Sequence, residues 1–146
     1  MISYTIYIID DEETIRSGLA MALEDDYHVA TFSNAEAAIN TIKKEPPDLI
    51  LLDIGLPGMN GVDALSEIKR LYPNMLVLMI TAYEDIDTVI SAMKLGAYDY
   101  VVKPIQMDGL GVTIGNALET IRLKKEVHAL QEKYLTENLP CFIGES

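Results

Sequence analysis

Five short apolar runs recur along the chain, at Tyr4 to Ile9, Val29 to Phe32, Leu49 to Leu52, Leu76 to Ile80 and Tyr100 to Val102. Between them the apolar positions repeat at helical spacing: Ile15, Leu19, Ala22 and Leu23, then Ala35, Ala38, Ile39 and Ile42, then Ile86, Val89, Ile90 and Met93. Such alternation predicts successive strand-helix units around a parallel sheet, each helix covering it with one face. Pro46, Pro47 and Pro73 stop the second and third helices, Gly96 ends the fourth, and a fifth begins near Gln106. Three central runs are apolar at nearly every position, as strands buried on both faces require. The second run is mixed and is expected at an edge.

Beyond Gly115 the helical pattern continues to a breaker at Pro140, farther than a helix covering the sheet needs. Its distal half carries Leu123, Val127, Leu130 and Tyr134 at intervals of 4, 3 and 4 residues, the seam of a short coiled coil. A partner helix is expected there. The alternative is an amphipathic helix folded back on its own domain.

Composition narrows the class. At 146 residues, 49% hydrophobic and 23% charged, the chain is expected to form one folded core plus a tail. No run approaches the roughly 20 apolar residues needed to cross a bilayer, and no basic stretch precedes an apolar one at the N-terminus, so no membrane or secretory role is expected. The single cysteine, Cys141, can make no internal disulfide, which fits a cytoplasmic protein. With 23 acidic against 11 basic residues the formal charge is -12, so binding of nucleic acid by this chain is not expected. His28 and His128 have no partners at ligand spacing, and Met21, Met79 and Met93 fall at core-like positions.

The informative polar residues follow the apolar runs, because open parallel sheets bind ligands beyond the carboxyl ends of their strands. Run one ends in Asp10, Asp11 and Glu12, run three in Asp53, run four in Thr81, and run five in Lys103 followed by Pro104. Right-handed crossovers bring these ends to one edge, where three aspartates would share a cleft. Clustered carboxylates repel unless a cation neutralises them, and an oxygen-only ligand set suits Mg²⁺. Mg²⁺ would draw a phosphoryl donor and leave an aspartate oxygen free to attack in line, giving an aspartyl phosphate. Thr81 and Lys103 could hold the remaining phosphoryl oxygens.

Together, Asp10-Asp11-Glu12, Asp53-Ile54-Gly55-Leu56-Pro57-Gly58-Met59-Asn60-Gly61, Thr81-Ala82 and Lys103-Pro104-Ile105 resemble the receiver domains of two-component response regulators over roughly residues 1 to 122. The resemblance implies a flavodoxin-like (βα)5 sandwich with strand order 2-1-3-4-5 and a cis Lys103–Pro104 bond. It implies Asp53 as phosphoacceptor for a sensor histidine kinase, Asp11 and Asp53 as direct Mg²⁺ ligands, Asp10 acting mainly through water, and the Gly55 carbonyl as a further ligand. It also implies a switch in which Thr81 moves toward the phosphate and Tyr100 turns inward, altering the face of the fourth helix, fifth strand and fifth helix. Gly55 and Tyr83 flank the site where water would reach the phosphoryl group.

A second resemblance lies in Phe142-Ile143-Gly144-Glu145-Ser146, similar to the opening of the ATPase domain of sigma-54-dependent (NtrC-like) transcription activators. It implies a receiver over 1–122, a linker helix over 123–139 and the start of a truncated ATPase domain over 140–146. Homodimerisation through 123–134, the fourth helix–fifth strand–fifth helix face, or both would then control the output. No G-x-x-x-x-G-K loop is present. Two other readings compete. One is a Mg²⁺-dependent phosphatase or phosphotransferase working through an aspartyl phosphate, against which stands Gly55 where a second acid would sit. The other is a receiver fold used as a phosphorylation-independent binding module. The receiver reading makes the chain no enzyme beyond its own phosphoryl transfer and dephosphorylation.

Overall fold

The structure is a computed structural model that describes residues 3–82 and 86–143, with side chains through residue 136. Tyr83, the side chains of Pro140, Cys141, Phe142 and Ile143, and residues 144–146 therefore lie outside the described residues.

The elements alternate as the apolar runs predict: β1 (Thr5–Ile9), α1 (Glu13–Leu23), β2 (His28–Phe32), α2 (Ala35–Lys44), β3 (Leu49–Asp53), α3 (Gly61–Leu71), β4 (Leu76–Thr81), α4 (Ile86–Lys94), β5 (Asp99–Val102) and α5 (Met107–Ile143). All five strands are parallel in the order β2-β1-β3-β4-β5, which puts the mixed second run at an edge. β3 is buried along its whole length, in keeping with its central place.

Strand alternation divides the core in two. Ile50, Leu52 and Met79 face α2, α3 and α4, whereas Ile8, Leu51 and Leu78 face α1 and α5. Asparagine caps start two of the helices: Asn34 Oδ1 accepts from the Ala37 amide at 2.8 Å, and Asn60 Oδ1 from the Asp63 amide at 2.9 Å. Each such cap stabilises by about 1 kcal/mol.

Several periodic positions do not pack as their spacing predicts. Ala22 is exposed, because α1 rests on the sheet through Leu19 and Leu23 four residues apart. Met21 is 71% exposed rather than in the core. On α4 only Val89 and Ala92 are buried, while Ile86, Ile90 and Met93 point outward, 63%, 48% and 39% exposed. The short α4 touches the sheet through a narrow stripe, and the rest of its apolar surface lines an open groove of about 590 Å³ with Thr81, Tyr100 and Val102.

α5 also runs past Pro140, where the sequence predicts a stop. A proline within the last turn removes a single hydrogen bond, and its neighbours can carry the helical path onward. Leu110, Ile114, Ala117 and Leu118 bury the helix base, and from Leu123 to Leu130 every residue is exposed. Folding back on its own domain is thus not what the described part of the helix does.

Candidate functional site

The carboxyl ends of β1, β3, β4 and β5 meet at one edge of the sheet, as right-handed parallel connections demand. Asp10 follows β1 and is fully buried. Asp53 ends β3 at 5% exposure, and Thr81 ends β4 at 1%. Lys103 follows β5, its amide donating to the Thr81 carbonyl at 2.8 Å, and the Lys103–Pro104 peptide is cis.

The Lys103 ammonium sits among three carboxylates: Nζ lies 3.4 Å from Asp10 Oδ2, 3.5 Å from Asp53 Oδ2 and 3.2 Å from Glu12 Oε1. Burial disfavours its charged form, but Asp53, Asp10 and Glu12 outweigh that and hold its pKa above the ordinary lysine value. Asp53 is likewise raised above the value of a free aspartate. Burial chiefly pushes its carboxyl up to about 6, with Asp10 and Asp11 adding to the rise, while the Gly55 amide and Lys103 oppose it. That amide donates to Asp53 Oδ1 at 3.1 Å.

The loop after β3 is built around glycines. Gly58 sits at φ +72°, a conformation that a Cβ disfavours. Gly61 opens α3 so close to the chain that a Cβ there would run into the Asp53 carbonyl and the Ile54 backbone. Only glycine lets α3 begin directly beneath the aspartate.

Carboxylate oxygens of Asp10, Asp11 and Glu12 all lie within 4.8 Å of one another. Asp10 Oδ2 is buried with no hydrogen bond, since Lys103 at 3.4 Å stands at ion-pair range. A buried carboxylate oxygen without a donor, beside further carboxylates and with no sulfur or imidazole among them, fits a hard divalent cation. Asp10, Asp11, Asp53 and the Gly55 carbonyl are the groups that could hold one.

Thr81 Oγ1 donates to the Ala82 carbonyl at 3.0 Å. Tyr100, 45% exposed, stands across the groove that Thr81 also lines. The cleft can therefore offer a carboxylate nucleophile, an ammonium, a hydroxyl that could rotate inward, and ligands for a cation.

Two participants do not stand out in the sequence. Glu12 appears there only as part of the acidic triplet, yet it holds Lys103. Arg16, on the first turns of α1, donates from Nη1 to the Asp10 carbonyl at 2.8 Å. Its signal was a cation near a helix N-terminus, where the helix dipole disfavours one.

Comparisons with known proteins agree on one family. The profile of the response regulator receiver domain matches residues 6–114. The chain is 41% identical over 133 residues to the nitrogen assimilation regulatory protein NtrX of Azorhizobium caulinodans, covering 89% of this chain and 29% of that protein. It is 33% identical over 132 residues to the regulatory protein AtoC of Escherichia coli, covering 90% and 29%. The crystal structure of NtrX from Brucella abortus matches with a TM-score of 0.83 at 38% identity, covering 88% of this chain and 30% of that one. The chain spans about three-tenths of the length of these relatives.

Proposed function

The chain belongs to the response regulator receiver domain family, and from that premise we propose that it is a phosphorylation switch whose acceptor is Asp53. A carboxylate oxygen of Asp53 attacks the phosphorus of a phosphohistidine on a sensor histidine kinase. The P–N bond breaks as the P–O bond forms, and the histidine leaves with the electron pair. The observation that carries this reading is the placement of Lys103 Nζ 3.5 Å from Asp53 Oδ2 and 3.4 Å from Asp10 Oδ2, groups delivered by three different strand ends.

Asp11, Asp53 and the Gly55 carbonyl would ligate Mg²⁺, with Asp10 acting through water. Bound there, Mg²⁺ supplies charge neutralisation for the phosphoryl oxygens. Lys103 would exchange its contact with Glu12 for one phosphoryl oxygen, and Thr81 would leave the Ala82 carbonyl for another. Tyr100 would then turn into the groove behind Thr81, changing the surface made by α4, β5 and α5.

The proposed organisation is a receiver over 1–122, a linker helix over 123–139 and the start of a further domain over 140–146. Leu123, Val127, Leu130 and Tyr134, each between 46% and 66% exposed, support a homodimer through the linker. The likeness to NtrX and AtoC supports a cytoplasmic regulator whose output is an NtrC-like, sigma-54-dependent activator. Among the described residues no helix is long and apolar enough to cross a membrane.

The test is incubation with Mg²⁺ and acetyl phosphate, recording intact mass and sedimentation for the wild type and Asp53→Ala. A phosphoryl mass gain confined to the wild type, with a shifted dimer equilibrium, is expected. Equal modification of both proteins would sink Asp53 as acceptor. No modification of either would favour a phosphorylation-independent module.

A further inference from the structure

We propose that Arg16 is a positioning residue that sets the divalent-cation affinity of the cleft by fixing the peptide between Asp10 and Asp11. The inference rests on the reading of the cleft as a Mg²⁺ site.

α2 and α3 are capped by Asn34 and Asn60, but the N-cap of α1 is Glu12, which makes no side-chain cap hydrogen bond. The β1–α1 turn is held by other means. The Glu12 amide donates to Asp10 Oδ1 at 2.9 Å, and the Asp10 amide donates to the Phe32 carbonyl at 3.1 Å. Arg16 completes the set from below, its Nη1 donating to the Asp10 carbonyl at 2.8 Å while its own amide donates to the Glu12 carbonyl at 3.0 Å.

The Asp10 carbonyl and the Asp11 amide belong to one rigid peptide plane. Holding that carbonyl fixes where the Asp11 Cα sits, and with the next peptide held through the Glu12 amide it limits how the side chain leaves the backbone. Asp11 needs this help more than Asp10. Asp10 is fully buried and anchored by the Glu12 amide, whereas Asp11 is exposed and makes no hydrogen bond or ion pair among the described residues. The Asp11 carboxylate is therefore placed by its backbone alone, and Arg16 holds the peptide that leads into it.

Arginine suits the task through its geometry. The guanidinium spends its hydrogen bond on a carbonyl and so holds the turn without competing for the oxygens a cation would use. Lys103, by contrast, contacts those oxygens directly.

Outer groups that orient a ligand typically change metal affinity by about 10- to 100-fold when removed. Calorimetric titration of MgCl₂ into the wild type, Arg16→Met and Arg16→Lys tests this, alongside urea unfolding in EDTA and the Mg²⁺ dependence of acetyl phosphate-driven phosphorylation. Arg16→Met should bind Mg²⁺ about tenfold more weakly, and its half-saturating Mg²⁺ for phosphorylation should rise by a similar factor while the plateau rate falls by less. Arg16→Lys, which keeps the charge with a shorter reach, should lie between the two.

Unchanged Mg²⁺ affinity in folded Arg16→Met overturns the inference, as does a loss confined to the plateau rate. Should Arg16→Met lack a cooperative unfolding transition, Arg16→Lys decides, and affinity equal to the wild type overturns the inference. A wild type that does not bind Mg²⁺ removes the underlying reading, and this inference with it.

Discussion

Replacing Asp53 by asparagine should make the metal-free protein more stable, although it would abolish the proposed function. The Asp53 carboxyl is pushed from the ordinary aspartate value of 3.8 to about 6, chiefly by burial. A folded-state value above the unfolded one means that the native protein binds the proton more tightly. Its contribution to stability is fully present below the unfolded value and is lost as pH rises through the folded one. Above that window the ionised Asp53 costs about 3 kcal/mol, from a rise of about two units at ~1.4 kcal/mol each. That figure already includes the attraction to Lys103, and asparagine keeps the shape and an oxygen for the Gly55 amide without the charge. Asp53→Asn should therefore gain about 1–3 kcal/mol near pH 8 and about half as much near pH 5. Urea unfolding in EDTA, repeated across this range, reads the difference directly. Excess Mg²⁺ should narrow the gap by stabilising the wild type more than the variant, which lacks one charged ligand. A variant no more stable than the wild type at the alkaline end, or a gap that ignores pH, would refute the reasoning.

Two other perturbations test the scaffold. Gly61→Ala forces a Cβ against the Asp53 carbonyl and should cost about 1–3 kcal/mol in the same unfolding assay, with weaker Mg²⁺ binding because the Asp53 backbone must shift. Val127→Asp together with Leu130→Asp places charges on the exposed seam of α5; sedimentation equilibrium should show a weakened dimer, with unfolding of the receiver part unchanged within about 0.5 kcal/mol.

The topology and the four strand ends were legible in the sequence because both depend on local pattern. A strand covered on two faces must be apolar along its covered length, as β3 is from Leu49 to Leu52, and polar residues that end or follow such runs stand out. Three aspartates and a lysine could thus be assigned to one cleft without coordinates.

Packing partners were less legible. The period of Ile86, Val89, Ile90 and Met93 reveals an apolar face, but it does not say that so short a helix meets the sheet through Val89 and Ala92 alone. Arg16 and Glu12 were hidden for a different reason. Long charged side chains on the first turns of a helix usually stand in water, and only coordinates show one reaching back to a backbone carbonyl and the other across to Lys103.

The unbroken course of α5 has a mechanical consequence. At about 1.5 Å per residue, the part of the helix beyond Leu123 extends some 30 Å from the body of the domain. The helix starts at Met107 beside Lys103 and Pro104 and leaves the domain past Ile121, beside Pro47 and Asp48 at the opposite edge of the sheet, so it behaves as a lever that carries motion from the cleft edge across the domain. A tilt of about 5° at the base, within the scale of helix adjustments in switching proteins, would sweep the far end through roughly 3 Å. That displacement is comparable to half a helical turn, enough to take apolar residues of one rod out of the gaps between those of another. An event the size of one phosphoryl group could in this way be read at a distance, with no part of the sheet rearranged.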